Sequence, residues 1–129
     1  MGALHRGHTA LFDRARSIAG ANGTVIASIF VNPTQFGPKE DFSRYPRPFA
    51  KDQRLCRKHG VNLLFSPAPD EMYQSDFSCW VDESSVSLGL CGGARPGHFR
   101  GVCTVVLKLF QILQPAPSSH AWSGTSMSR

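Results

Sequence analysis

An α/β fold with a parallel, doubly wound sheet is what this sequence predicts, and three observations predict it. Two runs rich in β-branched and apolar residues, Thr24–Val31 and Val61–Phe65, read as strands buried on both faces, as in a parallel sheet. Helical periodicity precedes the first run and fills the gap between the two. Tight Gly and Pro punctuation separates the segments, which gives the helix–strand–helix–strand order of βαβ units.

Each element follows from its residues. Thr9–Ala19 predicts a helix, because Leu11, Phe12, Ala15, Ile18 and Ala19 recur at helical spacing with Arg14 and Arg16 on the other side. Gly20–Gly23 supplies the stop. Asn32-Pro33 closes the first strand, since proline removes a ladder donor. Residues 33–48 read as a polar loop with four prolines. Phe49–His59 is an amphipathic helix that stops at Gly60. After the second strand, Pro67–Tyr73 is a turn with a short helix, and Phe77–Val81 is a candidate third strand. Gly89–Gly97 is a glycine-rich connection. His98–Leu113 is a helix with Val102, Val105, Val106, Leu109, Phe110 and Leu113 as its apolar stripe. The final residues, 116–129, are rich in Ser, Pro and Gly and lack an apolar period, so they are expected to be irregular or disordered. The expected organisation is one domain over 1–115 and a tail over 116–129.

The segment with the clearest chemistry is Met1-Gly2-Ala3-Leu4-His5-Arg6-Gly7-His8. A His-x-Gly-His element normally joins a buried strand to the helix that follows; here the helix is legible and the preceding strand is absent. The first turn of a helix leaves N–H groups unpaired and carries positive partial charge, which suits phosphate. Gly7 lets a ligand approach the backbone. His5 and His8, three apart, share a face of a helical turn. Two imidazoles there can donate to a phosphate that gains charge during nucleotidyl transfer. The alternatives are a surface turn or a metal site. No Cys, Asp or Glu lies within the segment to complete a metal shell, and the glycines favour nucleotide.

Two further segments carry candidate groups. Asn32-Pro33-Thr34-Gln35-Phe36 follows a strand, and open α/β sheets bind ligands at the carboxyl ends of strands. The Asn32 and Gln35 amides suit a hydroxyl or a carboxylate, while Asn-Pro can equally be only a turn. Arg95-Pro96-Gly97-His98-Phe99-Arg100-Gly101 places two arginines and a histidine at a helix start, either to grip an anion or merely solvated. Asp41, Arg44, Tyr45, Pro46 and Arg47 form a stiff charged loop, either a lid or plain surface.

Composition bounds the rest. The chain has 129 residues and a formal net charge of +5. Its basic residues are dispersed and not interleaved with aromatics, which argues against nucleic acid; an anionic small molecule such as ATP, or a solvated basic surface, suffices. No segment is long and apolar enough to span a bilayer, and no signal peptide is visible, so a cytoplasmic protein without membrane contact is expected. Cys56, Cys79, Cys91 and Cys103 show no paired spacing and are expected to be free thiols.

Taken together and in order, these motifs resemble one family, the pantothenate synthetases or pantoate–β-alanine ligases. The resemblance rests on Met1–His8, Ser28–Pro38, Asp41–Arg47, Arg95–Val102 and Thr104–Phe110, and runs to about Pro115. It implies a Rossmann-like nucleotidyltransferase domain of the His-x-Gly-His type. It implies ATP-driven condensation of pantoate with β-alanine through a pantoyl-adenylate, releasing AMP and pyrophosphate. His8 matches the family's catalytic histidine and His5 its partner at the phosphates. The ATP-binding segment is Met1, Gly2, Ala3, Leu4, His5, Arg6, Gly7 and His8. Met1, Gln35 and Asn32 match the pantoate motif, and Gln35 also borders the β-alanine site. ATP is a co-substrate, with Mg2+ held mainly by its phosphates and no protein metal site. A homodimer is implied for the intact family enzyme.

The sequence departs from the family at both ends. The strand before Met1 is missing. After Gln114-Pro115 the family's apolar strand and Gly-x-Lys-Asp-x-x-Gln segment give way to Ala116–Arg129, which looks like a shifted reading frame or an alternative end. The basic mobile loop and C-terminal domain are absent too, and Leu90–Gly93 differs from the acidic residue expected there. The chain is therefore expected to be truncated at both ends and inactive by itself. The alternative is a non-catalytic remnant that binds a nucleotide or a partner. A different His-x-Gly-His transferase is disfavoured by the Asn32–Phe36 and Arg95–Phe99 segments.

Overall fold

A computed structural model describes residues 2–37, 42, 44–85, 87 and 95–116. They form two compact units. The first takes the described residues of Met1–Ile29, Pro46–Ser66 and Pro115–Arg129; the second takes those of Phe30–Tyr45 and Pro67–Gln114.

The first unit is a βαβ core. It contains α1 (Arg6–Ala19), β1 (Ile26–Ser28), α2 (Phe49–Lys58) and β2 (Leu63–Phe65). The strands pair in parallel, with Ile26 opposite Leu63, Ala27 opposite Leu64 and Ser28 opposite Phe65. The core gathers Leu4, Ala27, Ile29 and Cys56, against which Phe12 of α1, Leu55 of α2, Val61 and Leu64 pack. α2 carries Arg57 and Lys58 in its last turn, where cations favour the helix dipole.

One arginine ties the ends of these elements together. Arg16 Nε and Nη2 donate to the Gly60 carbonyl at 3.2 and 2.7 Å, and Nη1 donates to the carbonyls of Gly20 and Gly23 at 3.0 and 2.8 Å. Arg16 Nη2 also donates to Asn62 Oδ1. Carbonyls that would otherwise lack donors at the helix ends are thus satisfied by one rigid, five-donor group.

The first strand is shorter and more open than the sequence suggests. Ala27 is buried, but Ile26 is 38% exposed and opposite it Leu63 is 48% exposed. Both helices of this unit contribute their packing residues, Phe12 and Leu55, to the cluster around Ala27 and Ile29. The strand therefore alternates instead of being buried on both faces. Its start is set by Asn62, whose Oδ1 accepts the Val25 N–H at 2.8 Å where a ladder carbonyl would otherwise do so. Ile18, assigned above to the apolar face of the first helix, is 46% exposed.

The second unit holds a 3-10 turn (Pro33–Gln35), α3 (Pro69–Met72) and α4 (His98–Leu113). Tyr73, Phe77 and Trp80 form an aromatic cluster, with Lys108 over Phe77 at 4.2 Å and Arg100 over Trp80 at 4.7 Å. Phe77–Val81 is not a strand. The Val81 N–H donates to Thr104 Oγ1 at 3.0 Å, so an α4 side chain takes the place of a neighbouring strand. The inner face of α4 is also more polar than its apolar stripe suggests, since His98 and Thr104 are buried and Phe110 is exposed. Of the four cysteines, Cys56, Cys79 and Cys103 are free; Cys91, most of Gly89–Gly97 and all but Ala116 of the tail lie outside the described residues.

Candidate nucleotide site

In the first unit the candidate residues lie on the start of α1. The helix begins at Arg6, three residues earlier than periodicity indicates, because His5 caps it. His5 Nδ1 accepts the Gly7 N–H at 3.1 Å, and His8 Nδ1 accepts the His5 N–H at 3.4 Å. This is a reciprocal capping box built from imidazoles, in place of the usual hydroxyl and carboxylate. The two rings lie 4.1 Å apart, centroid to centroid.

The caps fix the chemistry of both rings. A nitrogen that accepts a backbone N–H carries no proton, so the proton of each neutral ring sits on Nε2. Both Nδ1 atoms are thereby occupied, and both Nε2–H groups remain as donors. Burial is the main force holding the His8 pKa below its ordinary 6.5; the charge of His5 and the amino terminus lower it further, and Asp52 opposes them. At neutral pH His8 is therefore an uncharged donor. Gly7 leaves room for this arrangement: a Cβ there would sit 3.1 Å from His5 Cε1 and 3.3 Å from Nδ1, against the capping ring.

The turn before the helix is held from α2. Asp52, 1% exposed, accepts the Ala3 N–H on Oδ2 and the Leu4 N–H on Oδ1, both at 2.8 Å. Ala3 is left-handed, at φ 55°. A Cβ on Gly2 would lie 3.6 Å from Ile29 Cγ2, one residue past β1, so the turn sits at the carboxyl end of that strand. Open α/β sheets place ligands at this end. Sequence reading missed Asp52. The available signal was a lone carboxylate on the same helical stripe as Leu55 and Cys56.

In the second unit, Asn32 and Gln35 belong to the 3-10 turn. Asn32 is 3% exposed, and its side chain is fully engaged. Nδ2 donates to the Gly101 carbonyl at 3.0 Å and to Gln35 Oε1 at 3.3 Å; Oδ1 accepts from Thr34 Oγ1 at 3.0 Å and from the Tyr73 hydroxyl at 2.9 Å. His98 lies beneath the turn. Arg95 Nη1 donates to His98 Nε2 at 3.4 Å, and His98 Nδ1 donates to the Gln35 carbonyl at 2.9 Å. Arg100 faces Trp80 and pairs with Asp82 at 3.4 Å. The Arg95–Gly101 segment thus braces the Asn32–Gln35 turn, and both ring nitrogens of His98 are spent within the protein. Gly101 permits the close approach, for a Cβ there would lie 2.6 Å from the Thr34 carbonyl oxygen.

Among the described residues, no cluster of three or more His, Cys, Asp or Glu side chains could hold a metal, and no helix is long and apolar enough to cross a membrane. Met1 lies outside the described residues, as does Asp41.

The chain is similar to known proteins. The profile of the pantoate-beta-alanine ligase family matches residues 1–121. The pantothenate synthetase of Thermotoga petrophila is 56% identical over 115 residues, covering 89% of this chain and 40% of that protein. Pantothenate synthetase 1 of Bradyrhizobium diazoefficiens is 51% identical, again over 89% of this chain and 40% of its own length. The crystal structure of pantothenate synthetase from Thermus thermophilus superposes with a TM-score of 0.82 at 51% identity, covering 89% of this chain and 41% of that one. The enzyme from Francisella tularensis, solved with beta-gamma ATP and beta-alanine, gives 0.80 at 41% identity, covering 89% and 43%. The chain spans about 40% of the length of the relatives it matches. With an α/β fold, a histidine-capped helix start and a match over most of its length, the chain belongs to the pantoate-beta-alanine ligase family.

Proposed function

We propose that this chain supplies the ATP- and pantoate-facing part of a pantoate–β-alanine ligase. The observation that carries the reading is the pair of capped histidines, each with its Nε2–H left as a donor at the head of α1. In the reaction, the pantoate carboxylate attacks the α-phosphate of ATP, the bond to the β-phosphate breaks, and pyrophosphate leaves. The amine of β-alanine then attacks the acyl carbon of pantoyl-adenylate and AMP leaves. Charge accumulates on phosphate oxygens in the first step. His8, with His5 beside it, donates to them from Nε2, and the Gly2–Gly7 backbone lies along the nucleotide. Donors fixed in advance need no reorganisation as the charge develops. We assign pantoate and β-alanine to Gln35, and to Asn32 the holding of Gln35 through its amide. Mg2+ is assigned to the phosphates of ATP, whose charge it offsets. The intact enzyme is assigned as a cytoplasmic homodimer.

Binding, and not turnover, is the readout suited to a chain of this span. Titrating ATP into the isotopically labelled chain should move the ring signals of His5 and His8, and His8→Ala should weaken binding at least tenfold, the effect of losing a hydrogen bond to a charged group. Saturation with ATP that leaves both rings unmoved would overturn the site. Pantoate should move the Gln35 side-chain amide; a response confined to other residues would remove Gln35 from the assignment.

A further inference from the structure

We propose that Asp52 is a positioning residue for the His5–His8 site, holding through the Ala3 and Leu4 amides the left-handed turn from which α1 starts. The inference deepens the nucleotide reading and rests on it only for the choice of ATP as a probe.

Asp52 stands where an apolar residue would be expected. It lies on the α2 stripe with Leu55 and Cys56, and its neighbour Leu4 belongs to the apolar cluster. Burying a carboxylate is unfavourable unless its oxygens find donors. Here each oxygen takes one backbone N–H from two successive residues, Ala3 and Leu4, both at 2.8 Å. Successive amides converging on one anion form a nest, and a nest needs a left-handed residue. That residue is Ala3, at φ 55°, a conformation that residues with a Cβ adopt rarely. The carboxylate therefore supplies what the backbone lacks by itself. Leu4 then drops into the core, and the next residue, His5, caps the helix with its ring. Asp52 positions the two histidines through this path, and it acts on His8 also through its charge. Without it, the turn relaxes toward an ordinary backbone conformation and the His5 cap loses its fixed entry. The ionisable groups that face His8 are His5 on its own helix, the amino terminus, and Asp52 from α2.

The test compares the wild-type chain with Asp52→Asn, Cys56→Ala and the double variant Ala3→Gly/Asp52→Asn. Asparagine keeps the shape but presents a donor on one prong, to an amide that is itself a donor. The scalar coupling of the Ala3 amide reports φ directly and needs no ligand. The proposal expects that coupling to change in Asp52→Asn, the His8 ring titration to move to lower pH, and ATP affinity to fall on the order of tenfold, as for a charge-assisted hydrogen bond. Cys56→Ala, which removes core packing one turn further along α2, should leave all three unchanged. The double variant should regain much of the affinity, because glycine holds φ 55° unaided. An unchanged Ala3 coupling in Asp52→Asn overturns the proposal, as does an equal loss of affinity in Cys56→Ala. If the wild-type chain does not bind ATP, the nucleotide reading falls, and the Ala3 coupling still decides the role of Asp52. If Asp52→Asn does not fold, the double variant decides: recovery of folded spectra supports the proposal, and no recovery overturns it.

Discussion

Replacing Gly101 by alanine sets two forces of opposite sign against each other. Gly101 lies inside α4, where alanine is favoured over glycine by about 1 kcal/mol. If nothing stood nearby, a chain of 129 residues should melt about 4 °C higher. The surroundings oppose this. The new Cβ would lie 2.6 Å from the Thr34 carbonyl oxygen, 2.7 Å from its carbon and 2.8 Å from the Gln35 nitrogen. All three are backbone atoms, so no rotamer change relieves the clash. The 3-10 turn or α4 must retreat by roughly 0.8 Å to reach ordinary contact. Overpacking of this kind costs about 1–3 kcal/mol, with backbone partners placing it at the upper end. The net expectation is a loss of about 2 kcal/mol, or about 7 °C in melting temperature. The displacement also stretches the Asn32 Nδ2 bond to the Gly101 carbonyl, now 3.0 Å. Thermal unfolding followed by circular dichroism, with calorimetry for the enthalpy, reads the sign. A Gly101→Ala chain that melts above wild type would refute the claim that α4 and the Asn32–Gln35 turn meet backbone to backbone.

Three other outcomes are expected. The His8 pKa is held below 6.5, first by burial, so the neutral ring's contribution to stability is complete above pH 6.5 and is lost as pH falls through the lowered folded value; melting curves from pH 8 to 5 should show wild type losing more than His8→Ala, and parallel losses would count against the cap. Tyr73→Phe removes one of three donors to Asn32 Oδ1 and should cost about 1 kcal/mol in denaturant unfolding, whereas Asn32→Ala removes the acceptor shared by Thr34 and Tyr73 together with the donor to the Gly101 carbonyl and should cost about 3 kcal/mol. Burial and the nearby Asp52 carboxylate push the Cys56 thiol up, so iodoacetamide at pH 8 should label exposed Cys79 well before Cys56; equal rates would refute the buried placement.

Elements with a clear period were legible in the sequence. The second and last helices start and stop where Phe49, Gly60, His98 and Leu113 indicate, and the two β-branched runs do pair in parallel. The misread element bounds share one cause: side chains doing backbone work. Periodicity does not show that a histidine caps α1, that Asn62 sets the start of β1, or that Thr104 satisfies Val81 in place of a strand. The histidine pair was legible because its spacing sets its face. The orientation of its protons was not, since that depends on which nitrogen the helix start occupies. Arg95–Gly101 carried charge and glycine, which is the pattern of an anion grip. Only contacts far along the chain, such as His98 with the Gln35 carbonyl, show that the segment braces the Asn32–Gln35 turn.

The parallel pairing of β1 with β2 also bears on the order in which the first unit forms. Val25 and Asn62 meet across 37 residues, Arg16 and Gly60 across 44, and Ala3 and Asp52 across 49. None of these contacts can form before the chain has closed a long loop, and closing it costs entropy that only the finished packing returns. α1 is local and its histidine caps are three residues apart or fewer, so they can flicker into existence in the unfolded chain. The left-handed turn cannot, because its partner arrives only with α2. Along the folding coordinate, the two histidine donors come early and the geometry that aims them comes last.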